Sequence, residues 1–369
     1  MSENTIRLPV LWALGKKGYM VQCPLVTALS ENNQVLVLTS SVNVHLYAFA
    51  KRYQLLLGID IPSNITSVFK FLLNWFSTRN KIIIQLSERA SIIHVVMCSP
   101  WDIFFLSAAR KTKIPVVITI HDAKQHLGEE SFLMDILRNW IISKADHIVV
   151  LSNHVAQLLK QNSHFNKPII VVDEGLVMRV EPALRARQYP TGRPLKLLFH
   201  GRIHAYKGLN LLLDAMRLLQ KDSYQCSLTI AGAGDLAPYL VKLEKLNHVS
   251  IENRFLPDAE LLQILAAHDV LVLPYVEASQ SAVAVNALWA ALPSIATPVG
   301  ALPQQLKHGI DALIVDEISA QALATAISNL CNNKQLYEKL SQGAYNSYQS
   351  AGPIKAASQW MNLYNNMAI

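Results

Sequence analysis

Cysteine is scarce and dispersed in this chain: Cys23, Cys98, Cys226 and Cys331 are its four, with no CxxC pair and no Cys/His cluster. That excludes a disulfide framework and a structural zinc site, and it fits a reducing compartment. Charge is also low. Only 16% of the 369 residues are Asp, Glu, Lys or Arg, while 51% are hydrophobic, which excludes a disordered polyelectrolyte. No apolar run reaches the roughly 20 residues of a membrane-spanning helix, and no secretory signal is legible in the polar start Ser2–Thr5. There is no DxD or HExxH, no Walker-A loop and no G-x-S-x-G elbow. His200 and His204 are four apart but straddle a strand end and a loop. No metal site and no cofactor are expected.

The net charge of +7 calls for anionic partners: nucleic acid, an anionic membrane or anionic small molecules. Without an RNP, zinc-finger or basic-helix signature, nucleic acid is not expected.

At 369 residues the chain exceeds the size at which one core keeps growing, so two domains are expected. Strands are predicted at Leu8–Ala13, Val35–Thr39, Ile92–Cys98, Ile114–Ile120, Ala145–Ser152 and Ile169–Val172, with helices between them. Strands this continuously apolar, alternating with helices, predict parallel sheets covered on both faces. The stretch 181–194 breaks the rhythm with three prolines, a glycine and three arginines, and reads as a linker. The pattern resumes with strands at Leu195–His200, Ser227–Ala231, His248–Ile251, Val270–Leu273, Ser294–Thr297 and Ala312–Val315. The expected fold is α/β, with two facing Rossmann-like parallel-sheet domains and an interdomain cleft. One domain covers 1–182, completed by a C-terminal helix at 354–369, and the other covers 194–353. Ligands of such sheets sit beyond the carboxyl ends of the strands.

The candidate site residues come from those carboxyl ends. The stretch Leu198-Phe199-His200-Gly201-Arg202-Ile203-His204-Ala205-Tyr206-Lys207-Gly208 sets Arg202 and Lys207 in a strand–loop–helix unit. A planar fork and a mobile point charge together suit a diphosphate; the alternative is two solvated surface cations. The Gly15–Gly18 loop comes after the first strand, as a backbone approach to phosphate or as an ordinary turn. His121-Asp122 ends a strand, where His121 either bonds a polar ligand or caps the strand; His126 either lines the same loop or is simply exposed. After Val270–Leu273 comes Pro274–Val283, opening a helix at Ala282. Small polar residues there leave N–H groups for phosphate, with Glu277 able to accept from sugar hydroxyls. The alternative is a plain N-cap by Ser279 or Ser281, and both readings can hold at once. Gly232-Ala233-Gly234 resembles a dinucleotide fingerprint, but it comes after the second strand of its half, not the first.

The stretch Ile65–Lys81 mixes aromatic and aliphatic groups with Lys70, Arg79 and Lys81. It reads as an amphipathic helix packed on its own domain, or as one lying on an anionic bilayer.

These residues are similar to a known family. Gly201-Arg202 with Lys207-Gly208, Ile230–Gly234, and Ala287–Thr297 with Gly300 resemble the family 4 retaining glycosyltransferases of GT-B fold. The resemblance is dense from about 195 to 316 and looser in the first half, through Gly15, Gly18, Thr119–Asp122 and Ala145-Asp146. It implies a nucleotide-diphosphate sugar as donor, with Arg202 and Lys207 holding the diphosphate and stabilising the leaving group. It also implies backbone N–H groups at Ser281-Ala282-Val283 on the same phosphates, Gly15 allowing close backbone approach, and His121 beside the donor sugar, without a metal. The family often has two glutamates with seven residues between them. Here Asn286 takes the second place and Ala278 the first, with Glu277 one place early; the Ala278-Ser279-Gln280-Ser281 form resembles a branch that also lacks the pair. Ser279, Gln280 and Asn286 join the donor-binding set on that footing.

The activity implied is transfer of a sugar to a glycan or lipid-linked acceptor in polysaccharide or glycoconjugate biosynthesis. The setting implied is cytoplasmic, with the protein peripheral on the inner face of the membrane. Two alternatives remain open at this point: a nucleotide-sugar epimerase of the same fold, and a non-catalytic nucleotide-sugar-binding module.

Overall fold

The structure is a computed structural model that describes residues 6–15, 18–30, 34–41, 43, 53–62, 64–124, 131–161, 166–172, 183–220 and 226–367. Lys16, Lys17, His126 and the pair 181–182 lie outside these residues. The chain divides into two compact units.

Unit 1 is built on a seven-stranded parallel sheet. Its strands are β1 (Leu8–Ala13), β2 (Val35–Ser40), β3 (Tyr53–Ile59), β4 (Ala90–Val95), β5 (Val116–Ile120), β6 (His147–Val150) and β7 (Ile169–Val171). They lie in the order β3-β2-β1-β4-β5-β6-β7. β1 shows why both faces must be covered. Val10 and Trp12 enter one apolar cluster while Leu11 and Ala13 enter another, as a period of two requires. One face carries α2 (Ile65–Arg89), α3 (Asp102–Ala109), α4 (Phe132–Ser143) and α5 (Asn153–Lys160). The other carries α1 (Gly18–Ser30) together with the last helix of the chain, Pro353–Met367, which returns to unit 1.

That helix is fastened by a polar core. The buried His94 of β4 bridges Tyr364 Oη at 2.6 Å from Nδ1 and Thr119 Oγ1 at 2.7 Å from Nε2, and its ring stacks on Trp360 at 4.8 Å between centroids. Burial, aided by the nearby His121, pushes the His94 pKa down to about 3, so the ring is neutral.

Unit 2 is a six-stranded parallel sheet in the order β10-β9-β8-β11-β12-β13. Its strands are β8 (Leu195–His200), β9 (Cys226–Ala231), β10 (Val249–Glu252), β11 (Val270–Leu273), β12 (Ser294–Ala296) and β13 (Ala312–Ile314). Its helices are α6 (Leu209–Leu219), α7 (Leu240–Leu243), α8 (Asp258–Ala267), α9 (Ala282–Trp289), α10 (Leu302–Gln305), α11 (Ala320–Asn332) and α12 (Lys334–Ala351), leaving α13 (Pro353–Met367) as the helix of unit 1. Both sheets reverse strand order beside their first strand, between β1 and β4 and between β8 and β11. Ligands of open parallel sheets bind outside such switch points.

The structure departs from the patterning in three places. β3 and α4 are not legible in the sequence, since an edge strand paired on one side and a helix with outward apolar groups break the expected periodicities. The described part of the stretch read as a linker, 183–194, groups with unit 2. Arg187 donates to the carbonyls of Leu265, Ala266, His268 and Ala290, which close α8 and α9, and Arg193 forks onto both Asp269 oxygens at 2.5 and 2.8 Å. The Arg187 guanidinium satisfies carbonyls that helix ends leave unpaired, and the Arg193 guanidinium pairs with a carboxylate.

Both ties can be measured. Replacing Arg187 by Ala orphans four carbonyls and is expected to lower the stability of unit 2 by about 2–4 kcal/mol in urea titration. His94 has a folded pKa below its ordinary 6.5. Above pH 6.5 it is neutral in both states and adds no pH dependence. As pH falls from 6.5 toward 3, the unfolded chain takes up a proton that the folded chain refuses. Stability should therefore drop by about 1.4 kcal/mol per pH unit in that window. His94→Gln, which cannot protonate, should show a shallower drop in denaturation midpoint over the same range.

Candidate functional site

In unit 2 the two loops at the switch point are interlocked. After β8 the chain passes Gly201 (φ 113°), makes a 3₁₀ turn at Ala205–Lys207 and enters α6 through Gly208 (φ 68°). Both glycines take left-handed backbone conformations. At Gly208 there is also no room: a Cβ would lie 1.8 Å from the carbonyl oxygen of Pro274, in the loop after β11. Next along that loop, the Val276 amide donates to the Tyr206 carbonyl at 2.9 Å, and Thr297 Oγ1 donates to the Tyr275 carbonyl at 2.5 Å.

This framework places Lys207. Its side chain is buried, its Nζ donates to Tyr275 Oη at 2.6 Å, and it lies over the Tyr275 ring at 4.1 Å. Burial holds the Tyr275 phenol well above its usual range, so it stays protonated. Beyond Lys207, the phenol oxygen lies within hydrogen-bond reach of Ser281 Oγ, 3.3 Å away. Ser281 is the N-cap of α9: its Oγ accepts from the Ala284 amide at 3.3 Å. Gln305 of α10 accepts from the Ser281 amide at 2.7 Å. The Ser281 N–H is therefore spent inside the protein. The amides of Ala282 and Val283 are the N-terminal donors of α9 that these caps do not take, and Val283 lies against Gly201.

Arg202 differs from Lys207. Gly201 and Ile203 extend the sheet, their amides donating to the carbonyls of Ala231 and Ala233 at 3.0 and 2.9 Å. Arg202 stands between them with an exposed guanidinium, 3.5 Å from His204 Nε2. The glycines that resembled a dinucleotide fingerprint serve this extension. A Cβ on Gly232 would strike the Gly201 carbonyl at 1.9 Å and one on Gly234 the Ile203 carbonyl at 2.4 Å. The chain then enters a 3₁₀ turn and the four-residue α7, not the long helix that a dinucleotide site needs.

The remaining candidates of unit 2 cluster around α9. Ser279 and Asn286 are buried, while Glu277 and Gln280 are half-buried. The Ala278 carbonyl accepts from the Ala301 amide at 3.2 Å, and a Cβ on Gly300 would lie 1.5 Å from it. The loop after β12 therefore braces the loop that carries Glu277–Ser281.

In unit 1 the switch point is lined by Gly15, after β1, and Ser99, after β4; a Cβ on Gly15 would meet Ser99 Oγ at 3.3 Å. Asp102 holds that corner, accepting from Trp12 Nε1 at 2.8 Å and from the Ser99 amide at 2.6 Å. Burial pushes its carboxyl up to about 7 against the pull of those two bonds. His121 ends β5 and its Nε2 donates to the Val96 carbonyl at 2.8 Å. A carbonyl only accepts, so the proton is on Nε2 and Nδ1 is the acceptor nitrogen. Burial lowers the His121 pKa and keeps the ring neutral. Tyr275, Gln305 and Asp102 carry much of this geometry without any motif; a lone Tyr just after the apolar strand β11 is the only advance signal among them.

Comparison with known proteins bears on both units. Residues 194–333 match the model of the glycosyl transferases group 1 domain, and residues 25–177 that of Glycosyltransferase Family 4. The chain is 22% identical over 288 residues to N-acetyl-alpha-D-glucosaminyl L-malate synthase of Bacillus anthracis, covering 75% of each chain. It is 25% identical over 252 residues to glycogen synthase of Mycobacterium tuberculosis, where the match covers 65% of this chain but only 60% of that protein. Among solved structures, Anabaena HepE in complex with UDP superposes with a TM-score of 0.71 at 16% identity, over 98% of this chain and 100% of the other. The same Anabaena protein has been solved in complex with UDP-glucose. With two parallel-sheet units, each matched by a glycosyltransferase domain model, the chain is a glycosyltransferase of GT-B fold.

Proposed function

We propose that this enzyme moves a sugar, with retention of anomeric configuration, from a nucleotide-diphosphate sugar to a glycan or lipid-linked acceptor. The observation that carries the donor side is the Lys207–Tyr275–Ser281 chain. It sets a buried ammonium beside the N-terminus of α9, so two sources of positive potential converge on one place. Arg202, exposed on the same loop, completes the grip on the diphosphate as a planar fork. The UDP and UDP-glucose bound by the Anabaena relative support uridine as the nucleoside.

In this reading the C1–O bond to the β-phosphate breaks, the acceptor oxygen bonds to C1, and its proton leaves with the diphosphate. Charge builds on the leaving group, where Lys207, Arg202 and the amides of Ala282 and Val283 stabilise it more than in the ground state. In unit 1, Gly15 lets the backbone approach a phosphate and neutral His121 can accept from a sugar hydroxyl through Nδ1. Glu277, Ser279, Gln280 and Asn286 hold the nucleoside and sugar, Asn286 without charge. No step calls for a metal or a cofactor. The comparisons favour neither an epimerase nor a non-catalytic binder. The reaction belongs to polysaccharide or glycoconjugate assembly, on the cytoplasmic side and peripheral to the membrane.

Calorimetric titration should show UDP binding to the full chain. Arg202→Ala and Lys207→Ala should each reduce kcat/KM for sugar transfer by about 10²–10³, roughly 3–4 kcal/mol of transition-state stabilisation. Unchanged turnover in both would overturn the assignment, and turnover of donor without any acceptor product would point to epimerase chemistry. Tyr275→Phe keeps the ring under Lys207 but removes the oxygen that links it to Ser281. It should lower stability by about 1–2 kcal/mol and weaken UDP binding, with a larger effect on KM than on kcat.

A further inference from the structure

Helix α2 is apolar on two faces. Phe71, Trp75, Ile82 and Leu86 turn inward: Phe71 packs edge-on against Trp101, Phe104 and Phe105, and Trp75 Nε1 donates to the Phe104 carbonyl at 3.0 Å. That face is the self-packing expected of an amphipathic helix. A second series, Phe69, Leu72, Leu73 and Phe76, recurs at i, i+3, i+4 and i+7 and points to solvent, with Phe69 68%, Leu73 69% and Phe76 62% exposed. A helix of this kind needs one apolar stripe for its own domain, and the second is surplus to the fold.

The exposed stripe continues onto neighbouring elements. α2, α3 and α4 pack on the same face of the seven-stranded sheet. The first two turns of α4 expose Phe132 (82%), Leu133 (72%), Met134 and Ile136, and Ile103 at the start of α3 is exposed between them. Helices that come after parallel strands begin at the carboxyl edge of the sheet, so α2, α3 and α4 all start from that edge. Contiguous exposed apolar surface of this kind marks an interaction site.

Charge decides between partners. From Ile61 to Ser87 there is no acidic residue, while Lys70, Arg79 and Lys81 all lie on α2, and Asp135 of α4 is paired with Arg138 at 3.4 Å. At 100° per residue, Lys70 and Lys81 fall together on one flank of the exposed stripe, Arg79 on the other. Apolar aromatic groups edged by cations on a helix too polar to span a membrane match an anionic lipid surface. We infer that the α2–α3–α4 rim of unit 1 docks on an anionic bilayer, burying Phe69, Leu73, Phe76 and Phe132 at the headgroup boundary. The docking stands on this surface alone; its consequence, that the acceptor is a lipid-linked glycan presented from the bilayer to the adjoining carboxyl edge, rests on the sugar-transfer reading above.

The test is sedimentation of the full chain with vesicles of phosphatidylcholine, with and without phosphatidylglycerol. The wild-type chain should sediment with the anionic vesicles at low salt and be released by added salt. Phe69→Ser with Phe76→Ser should weaken this by at least about tenfold, as loss of two inserted aromatic groups demands. Lys70→Glu with Lys81→Glu, which leaves the apolar groups in place, should weaken it on the anionic vesicles. Both pairs are exposed, and unchanged UDP titration and thermal midpoint would show the fold and the donor site intact. If the wild-type chain stays in the supernatant at low salt, or the serine pair sediments like wild type, the docking surface is wrong. If analytical ultracentrifugation instead shows a dimer that the serine pair dissolves, the face belongs to a second copy and the bilayer inference falls. Vesicle binding without UDP binding would sink the donor reading and leave the docking surface standing.

Discussion

An ammonium group taken out of water at the edge of a sheet is the constraint from which the donor unit can be read. Lys207 is buried, and a charge in that position exerts a stronger field than a surface lysine does. Keeping it there requires a hydroxyl oxygen and an aromatic face, and Tyr275 supplies both. Tyr275 in turn has to be immobile, which the backbone bonds to Tyr206 and from Thr297 ensure. Gly208 must be glycine for the two loops to approach that closely, and Ser281 must cap α9 where the phenol can reach it. Three strand ends and two helix N-termini are thereby coupled to one side chain.

Unit 1 solves the corresponding problem with neutral groups. Its switch point is shaped by a glycine against a serine, held by a carboxylate whose pKa burial has pushed up to about 7. His121 is fixed by a carbonyl and kept neutral. The helix that returns from the end of the chain closes the opposite face over another neutral histidine, His94. The one corner is cationic and the other is built on a neutral imidazole.

Much of this was legible beforehand because parallel strands covered on both faces are continuously apolar, and runs such as Leu8–Ala13 and Val270–Leu273 admit few other readings. The carboxyl ends of those runs pointed to Arg202, Lys207, His121 and the Glu277–Val283 loop. What composition misjudged was direction. Arg187 and Arg193 counted toward a linker, but they turn onto carbonyls and Asp269. Ser281 looked like a donor of its own amide, but Gln305, twenty-four residues later, takes it. The second apolar face of α2 was present in the sequence as a mixture of aromatic and aliphatic residues, yet only the packing showed which of them the core uses.

The sequence by itself determined the two parallel sheets, the placement of glycines and cations at strand ends, and the likeness to glycosyltransferases, because these depend on local periodicity and on short motifs. Only the tertiary structure decided which cation is buried, which amides of α9 remain as donors, and which tautomer His121 adopts. Those properties depend on partners far away in the chain: Tyr275 for Lys207, Gln305 for Ser281 and Val96 for His121. Side-chain direction and desolvation are set by what packs alongside, and no spacing along a single strand or helix encodes them.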